Sequence, residues 1–255
     1  MITISPGHYG VGTGAVGYVD EFTEALRVTE KVHSFLQTAG IPCHVIVDRT
    51  SSSQRENIAY LVKAHNNTKR ELDVSVHLNA TAGKTERPIG VEVLYVNPNF
   101  AEAARKLSLA MATSARLPDR GAKRRTDLAI LNGTHKPCLL LEVCFVNSRA
   151  DVTQYEKHFE EICWAIAHTL AEIIGKPFSK ATQTTVFNAG ELFTFQALAE
   201  RLQPFYVDPI FVESMLREGI QEKVFQPVWL ELWKRGNLTF VDFCGLCALK
   251  LCNKK

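Results

Sequence analysis

What most restricts the fold of this chain is an alternation of two hydrophobic periods along its first three quarters. Short β-branched runs at Ile2 to Ser5, Cys43 to Val47, Val74 to Leu78, Val91 to Val96, Leu128 to Leu131 and Leu139 to Val143 read as strands. Between several of them lie segments at helical spacing: Phe22, Ala25, Thr29, Val32 and Leu36; Ile58, Leu61, Val62 and His65; Phe100, Ala103, Leu107 and Met111. Such alternation predicts an α/β layer fold, a twisted and mostly parallel sheet of about six strands flanked by helices. A longer amphipathic stretch follows, with Val152, Tyr155, Phe159, Ile162, Ile166, Leu170 and Ile173 on one face. Asn147-Ser148 stands before it as a cap, and Gly175-Lys176-Pro177 ends it.

Composition then shifts. Lys180 to Thr185 is small and polar, so a linker is expected over residues 178–186, between a first unit (1–177) and a C-terminal one (187–255). The latter holds 11 of the 23 aromatic side chains in under a third of the length, which marks it as separate. Leu192, Phe195, Leu198 and Leu202, then Val212, Met215 and Leu216, predict that it is mainly helical. Its Cys244-Gly245-Leu246-Cys247 with Cys252 lacks the second pair a structural zinc site needs, and the apolar surroundings favour inert thiols.

Charge and cysteine content exclude several classes of partner. With 29 Lys and Arg against 27 Asp and Glu, the net charge of +2 provides no broad field for nucleic acid or anionic lipid. No apolar run approaches the roughly 20 residues that span a bilayer, so no membrane insertion is expected. The first residues enter a strand without a basic and apolar leader, which reads as cytoplasmic synthesis without a signal peptide. Seven cysteines, an odd number, suit reduced thiols.

Four positions carry chemistry. His8 follows Ser5-Pro6-Gly7 at the end of the first strand, the edge where open α/β sheets build their sites. The glycines at 7, 10, 12, 14 and 17 let the next loop pass close to a ligand, but their spacing is not a dinucleotide fingerprint. Asp20, Glu21 and Glu24 cluster where a helix begins, a place where carboxylates commonly serve as caps. His77 shares a strand face with Ser75 and Asn79. A lone strand histidine is more often a hydrogen-bonded core residue than a ligand; a second strand-end histidine and a nearby carboxylate shift that balance. Glu142 is the one charge in Cys138 to Phe145, and an unpaired buried carboxylate is costly, so it must be paired (with Arg27, for example), protonated or functional.

In this order the residues resemble the zinc-dependent N-acetylmuramoyl-L-alanine amidase family, the type 3 amidases, over roughly residues 1–175. The matching stretches are Pro6-Gly7-His8 with Gly14 to Gly17; Glu21 with Leu26 and Val28; Asp48-Arg49-Thr50; and Ser75 to Ala80. Further on come Gly90 to Val93, Arg120 to Lys123, Leu128 to Leu131, and Pro137 to Asn147 with Asp151 beyond. Tyr9 and Cys144 stand where the family has smaller or small polar residues.

The resemblance implies one zinc ion held by His8, Glu21 and His77, with Glu24, one helical turn on, as the rival to Glu21. It implies Glu142 as the general base and bacterial peptidoglycan as the substrate, cut between N-acetylmuramic acid and the L-alanine of the stem peptide. Lys123 and Arg120, read as lying in a loop before the fifth strand, would contact a stem-peptide carboxylate or simply face solvent. Asn79 would orient His77, meet substrate or close a loop. A wall-cleaving domain without an export signal is the arrangement of a phage endolysin released by a holin. Its C-terminal unit would then bind the wall or drive oligomerisation, its aromatics forming a small core or stacking on sugars. Two other readings compete: a non-catalytic wall-binding protein, and a zinc peptidase cutting a different peptidoglycan bond.

Overall fold

The computed structural model describes residues 1–178, 209–222, 225–226 and 228–234. The chain divides into two compact units, Met1–Ala181 and Thr182–Lys255.

In the first unit the elements are β1 (Ile2–Pro6), α1 (Glu21–Thr38), β2 (Cys43–Val45), α2 (Gln54–Asn66), β3 (Leu72–Asn79), β4 (Val91–Tyr95), α3 (Ala101–Ala115), β5 (Asp119–Arg124), α4 (Ala129–Gly133), β6 (Cys138–Phe145), α5 (Arg149–Lys157) and α6 (Phe159–Ile173). The six strands form one sheet in the order β2-β1-β3-β6-β4-β5. β1, β2, β3 and β6 run parallel, β4 is antiparallel to β6, and β5 follows β4. The expected α/β layer fold with a mostly parallel sheet is therefore the fold observed.

Strand alternation sends two sets of side chains to opposite faces. Val74, Val76, Leu139, Leu141 and Val93 pack on one face against Val28, Val32 and Leu36 of α1, Leu107 and Met111 of α3, and Ile162, Ile166 and Leu170 of α6. Each fully buried aliphatic side chain here contributes about 1.5–3 kcal/mol. On the other face a smaller cluster joins Leu94, Leu140 and Cys138 to Leu61 of α2 and to Ile130 and Leu131 of α4. That second cover stops short of the ends of β3 and β6, where the same face carries His77, Glu142 and, on β4, Glu92.

Two sequence expectations are corrected. Leu128 to Leu131 is the start of helix α4, and the fifth strand is the preceding Asp119–Arg124, so Arg120 and Lys123 stand on a strand. Four apolar residues in a row cannot tell strand from helix, whereas β5 is a charged edge strand with no apolar run to announce it. The amphipathic stretch after Ser148 is two helices broken at His158, with Ser148 capping the first through the Asp151 N–H at 3.1 Å.

The second unit contains α7 (Pro209–Gln221) and α8 (Val228–Lys234). Val212, Met215, Leu216 and Phe225 are buried, and Gly219 lets α7 approach Phe225 closely. Trp229 and Trp233 are half-buried on α8. The linker from residue 179 onward, Leu192 to Leu202 and the three C-terminal cysteines lie outside the described residues. Among the described residues no helix is long and apolar enough to cross a membrane.

Candidate active site

The site is assembled at the end of β1 and β3. His8 leaves β1 in the left-handed region, φ 67°, a conformation histidine tolerates better than most residues but still at a cost of order 1 kcal/mol. Its carbonyl is gripped by Asn57 Nδ2 at 3.0 Å, and the same amide nitrogen donates to Asp48 at 3.0 Å. Asp48 in turn accepts from the backbone and hydroxyls of Thr50 and Ser51. Those bonds outweigh the burial that would raise its pKa and bring it down to about 2.

The three acidic residues at the start of α1 separate into three tasks. Asp20 is the N-cap, accepting from Thr23 N at 2.9 Å. Glu24 accepts from the Tyr155 hydroxyl at 2.8 Å and pairs with Arg27 at 3.1 Å. Glu21 reaches the histidines: its Oε1 is 2.9 Å from His8 Nε2 and 2.9 Å from His77 Nδ1, while Oε2 is fixed by the Ala15 N–H at 2.8 Å. Burial would raise the Glu21 pKa, but hydrogen bonds and charge from His77 and His8 overcome it and hold it far below the carboxylate range.

Three donors, His8, Glu21 and His77, lie within 4.8 Å of one another. Ligand atoms about 2.0–2.1 Å from one tetrahedral zinc lie roughly 3.3 Å apart, so a small rotamer adjustment suffices, and two imidazoles with one carboxylate are a donor set that leaves a fourth position for water. The backbone is shaped around these groups. A Cβ on Gly7 would fall 2.0 Å from His77 Cε1, and one on Gly14 would fall 2.6 Å from the His8 ring and 2.8 Å from Glu21. His77 Nε2 meets Ser75 Oγ at 3.1 Å, a second contact of the kind that orients ligating imidazoles.

Glu142 pairs in register with His77 on one side and Glu92 on the other. Its Oε2 is buried without a hydrogen-bond partner among the described residues, and Arg27 is elsewhere, on Glu24 and over the Phe159 ring. Burial first, then the negative charges of Glu21 and Glu92, push its pKa well up, against a weaker pull from Arg125. Cys144, two residues on, faces the core and is fully buried, so this departure from the family pattern changes packing rather than the donor set.

Glu92 carries no functional signal of its own in the sequence, although Gly90 to Val93 matches the family. It is 6% exposed and collects the three residues suggested for substrate. Asn79 Nδ2 donates to its Oε1 at 3.1 Å, Arg120 Nε to its Oε2 at 2.7 Å, and Lys123 Nζ also to Oε2. Burial opposes ionisation, yet Lys123 and Arg120 hold its pKa below the usual value. Asn57 was equally unmarked, since one polar residue on a helix carries no signal without its tertiary partners.

Comparison with known proteins places this geometry in a family. Residues 2–172 match the N-acetylmuramoyl-L-alanine amidase family Amidase_3. An uncharacterized protein of Clostridium perfringens is 28% identical over 179 residues, covering 69% of this chain and 51% of the relative. The germination-specific N-acetylmuramoyl-L-alanine amidase of Bacillus subtilis is 28% identical over 170 residues, covering 60% of this chain and 70% of that protein. The catalytic domain of CD27L, an endolysin targeting Clostridia difficile, superposes with a TM-score of 0.60 at 25% identity, covering 70% of this chain and 98% of that one. The chain spans about half the length of the Clostridium perfringens relatives it matches. With the family pattern running through β1 to α6 and the sheet that carries it in place, the chain belongs to the N-acetylmuramoyl-L-alanine amidase family.

Proposed function

We propose that this chain hydrolyses the amide bond between N-acetylmuramic acid and the L-alanine of the peptidoglycan stem peptide, using one zinc ion, and that it serves as a phage endolysin. The observation that carries the reading is the convergence of His8, Glu21 and His77 one strand away from Glu142, whose Oε2 has no hydrogen-bond partner among the described residues, in a chain of this family. The likeness to an endolysin catalytic domain supports the lytic role.

His8 Nε2, Glu21 Oε1 and His77 Nδ1 would hold the zinc. When bound there, zinc supplies Lewis acidity, lowering the pKa of a water to about 7 and polarising the scissile carbonyl. Glu142 accepts the proton of the attacking water as the C–O bond forms. It then delivers that proton to the alanine nitrogen as the C–N bond breaks, leaving a lactyl carboxylate and a free amine. Burial and the charges of Glu21 and Glu92 favour the protonated form that hands the proton to the nitrogen, while the charge of a bound cation would favour the carboxylate that first accepts it. Ser75, Ala15 and Asn57 act earlier, by fixing His77, Glu21 and the His8 backbone.

The test is digestion of purified peptidoglycan by the full chain, with and without a zinc chelator, beside Glu142→Gln, reading new alanine amino termini. Chelator-sensitive release of alanine termini is expected, reduced roughly 10²- to 10⁴-fold in the variant. Release of other amino termini would point to a peptidase cutting elsewhere, and wall binding without any release would point to a non-catalytic wall protein.

A further inference from the structure

We propose that Glu92, Arg120 and Lys123 form a carboxylate subsite that reads the second residue of the stem peptide, separating a free α-carboxylate from its amide. The proposal rests on the reading that the scissile bond joins muramic acid to L-alanine.

The argument begins with a row of residues across the sheet. His77, Glu142 and Glu92 are successive register partners on β3, β6 and β4, so their side chains share one face. Beyond β4 lies β5, with Arg120 and Lys123, whose nitrogens both turn back to Glu92 Oε2. Glu92 is 8% exposed at its side chain, whereas those of Arg120 and Lys123 are 35% and 42% exposed. A buried carboxylate thus holds two cations whose outer surfaces meet solvent. Within this trio two positive charges against one negative leave one positive charge to meet a carboxylate. Arg120 gives only its Nε to Glu92, and its terminal nitrogens have no hydrogen-bond acceptor among the described residues. Its guanidinium lies over the Phe145 ring at 5.1 Å, and its terminal nitrogens are of the kind that meet a carboxylate in a bidentate pair. Arg125, the next cation along, is already committed to Asp127.

Distance selects the ligand. Adjacent strands are about 4.8 Å apart, so the cationic heads drawn over β4 stand roughly 5–10 Å from Glu142. An extended peptide advances about 3.3–3.6 Å per residue, which puts the second residue of the leaving peptide about 7 Å from the scissile bond and the third beyond about 10 Å. A second-residue glutamate linked through its side chain presents a free α-carboxylate at that distance, and amidation removes its charge.

The experiment uses the zinc-loaded full chain and two synthetic substrates, N-acetylmuramoyl-L-alanyl-D-glutamyl-L-lysine with γ linkage and the same compound carrying D-isoglutamine. Wild type should favour the free carboxylate by about 10-fold or more in kcat/KM, mostly through KM. Arg120→Gln with Lys123→Gln should bring that ratio toward 1, and Arg120→Lys should retain part of it. Because removing both cations could unsettle buried Glu92, a second measurement needs no variant. L-alanyl-D-glutamate should inhibit wild type more strongly than L-alanyl-D-isoglutamine. Equal turnover of both substrates, equal inhibition by both dipeptides, or an unchanged ratio in the double variant would overturn the subsite while leaving the amidase reading intact. Failure of wild type to release alanine termini from either substrate would remove the amidase reading and the subsite together.

Discussion

His77 and His65 make the same kinds of contact and do different things. Each stands between a carboxylate and a serine hydroxyl: His77 between Glu21 and Ser75, and His65 between Asp73 at 2.8 Å and Ser5 at 3.0 Å. The Ser5-His65-Asp73 series even has the order of a nucleophilic triad. Yet all three of its residues are 0% exposed, and Arg70 closes it with two further bonds to Asp73, so no substrate can reach the hydroxyl. At His77 the cover of α2 and α4 has ended, and the imidazole shares its carboxylate with a second histidine. Residue types decide what chemistry is available, and the edge of the helical cover decides whether it is a site or a fastening.

The contrast can be broken most directly by exchanging the two losses. His77→Ala should cost more than about 10³-fold in hydrolysis, because a proposed zinc ligand is lost, and should destabilise the fold less than His65→Ala, because buried Glu21 keeps His8 and the Ala15 N–H and the vacated position is partly open to water. His65→Ala should destabilise the fold by about 3 kcal/mol, since it strips a buried Asp73 of one partner, while the folded fraction keeps its turnover. Urea titration beside a rate assay separates them, and similar profiles for both variants would dissolve the distinction.

A smaller effect sharpens it. Asn57→Ala releases the His8 carbonyl without touching any imidazole, and should weaken zinc binding by about 10-fold, the lower end of the range for supporting residues. Competition with a chromogenic chelator measures this independently of activity. Unchanged affinity in a folded variant would reduce Asn57 to a packing role.

The smallest effect concerns Asp48. Its folded pKa, about 2, lies below an unfolded value near 3.9. The stabilisation is therefore fully present above about pH 4 and lost as pH falls through 2. The stability gap between wild type and Asp48→Asn should accordingly narrow over that window, as read by denaturant midpoints; a gap constant from pH 6 to pH 2 would contradict the assignment.

How much of this was legible beforehand follows from what each signal depends on. The sheet and its helices could be read because Val74 to Leu78 alternates apolar and polar residues, Leu139 to Val143 is apolar but for Glu142, and α1 carries Phe22, Val32 and Leu36 at helical spacing. β5 could not, because its residues are an edge strand's charges. Neither could the break at His158, which interrupts a hydrophobic stripe that continues in register on both sides. Glu21 and Glu24 lie on nearly the same helix face, and only the loop through Gly14 and Ala15, folding back to contact Glu21, separates their tasks. Glu92 carried no message alone, since its meaning lies in Arg120 and Lys123 some thirty residues away.

Among the described residues β5 stands at the edge of the sheet, and that position has a consequence outside catalysis. A strand with one unpaired side is a template onto which another chain can add, and natural proteins discourage this with charge. Asp119, Arg120, Lys123 and Arg124 crowd that border, so the cations drawn toward Glu92 also keep the sheet from growing. Variants that trade both for apolar residues should therefore be watched for aggregation, and any selection that retunes substrate preference here is constrained by colloidal stability as well as by chemistry.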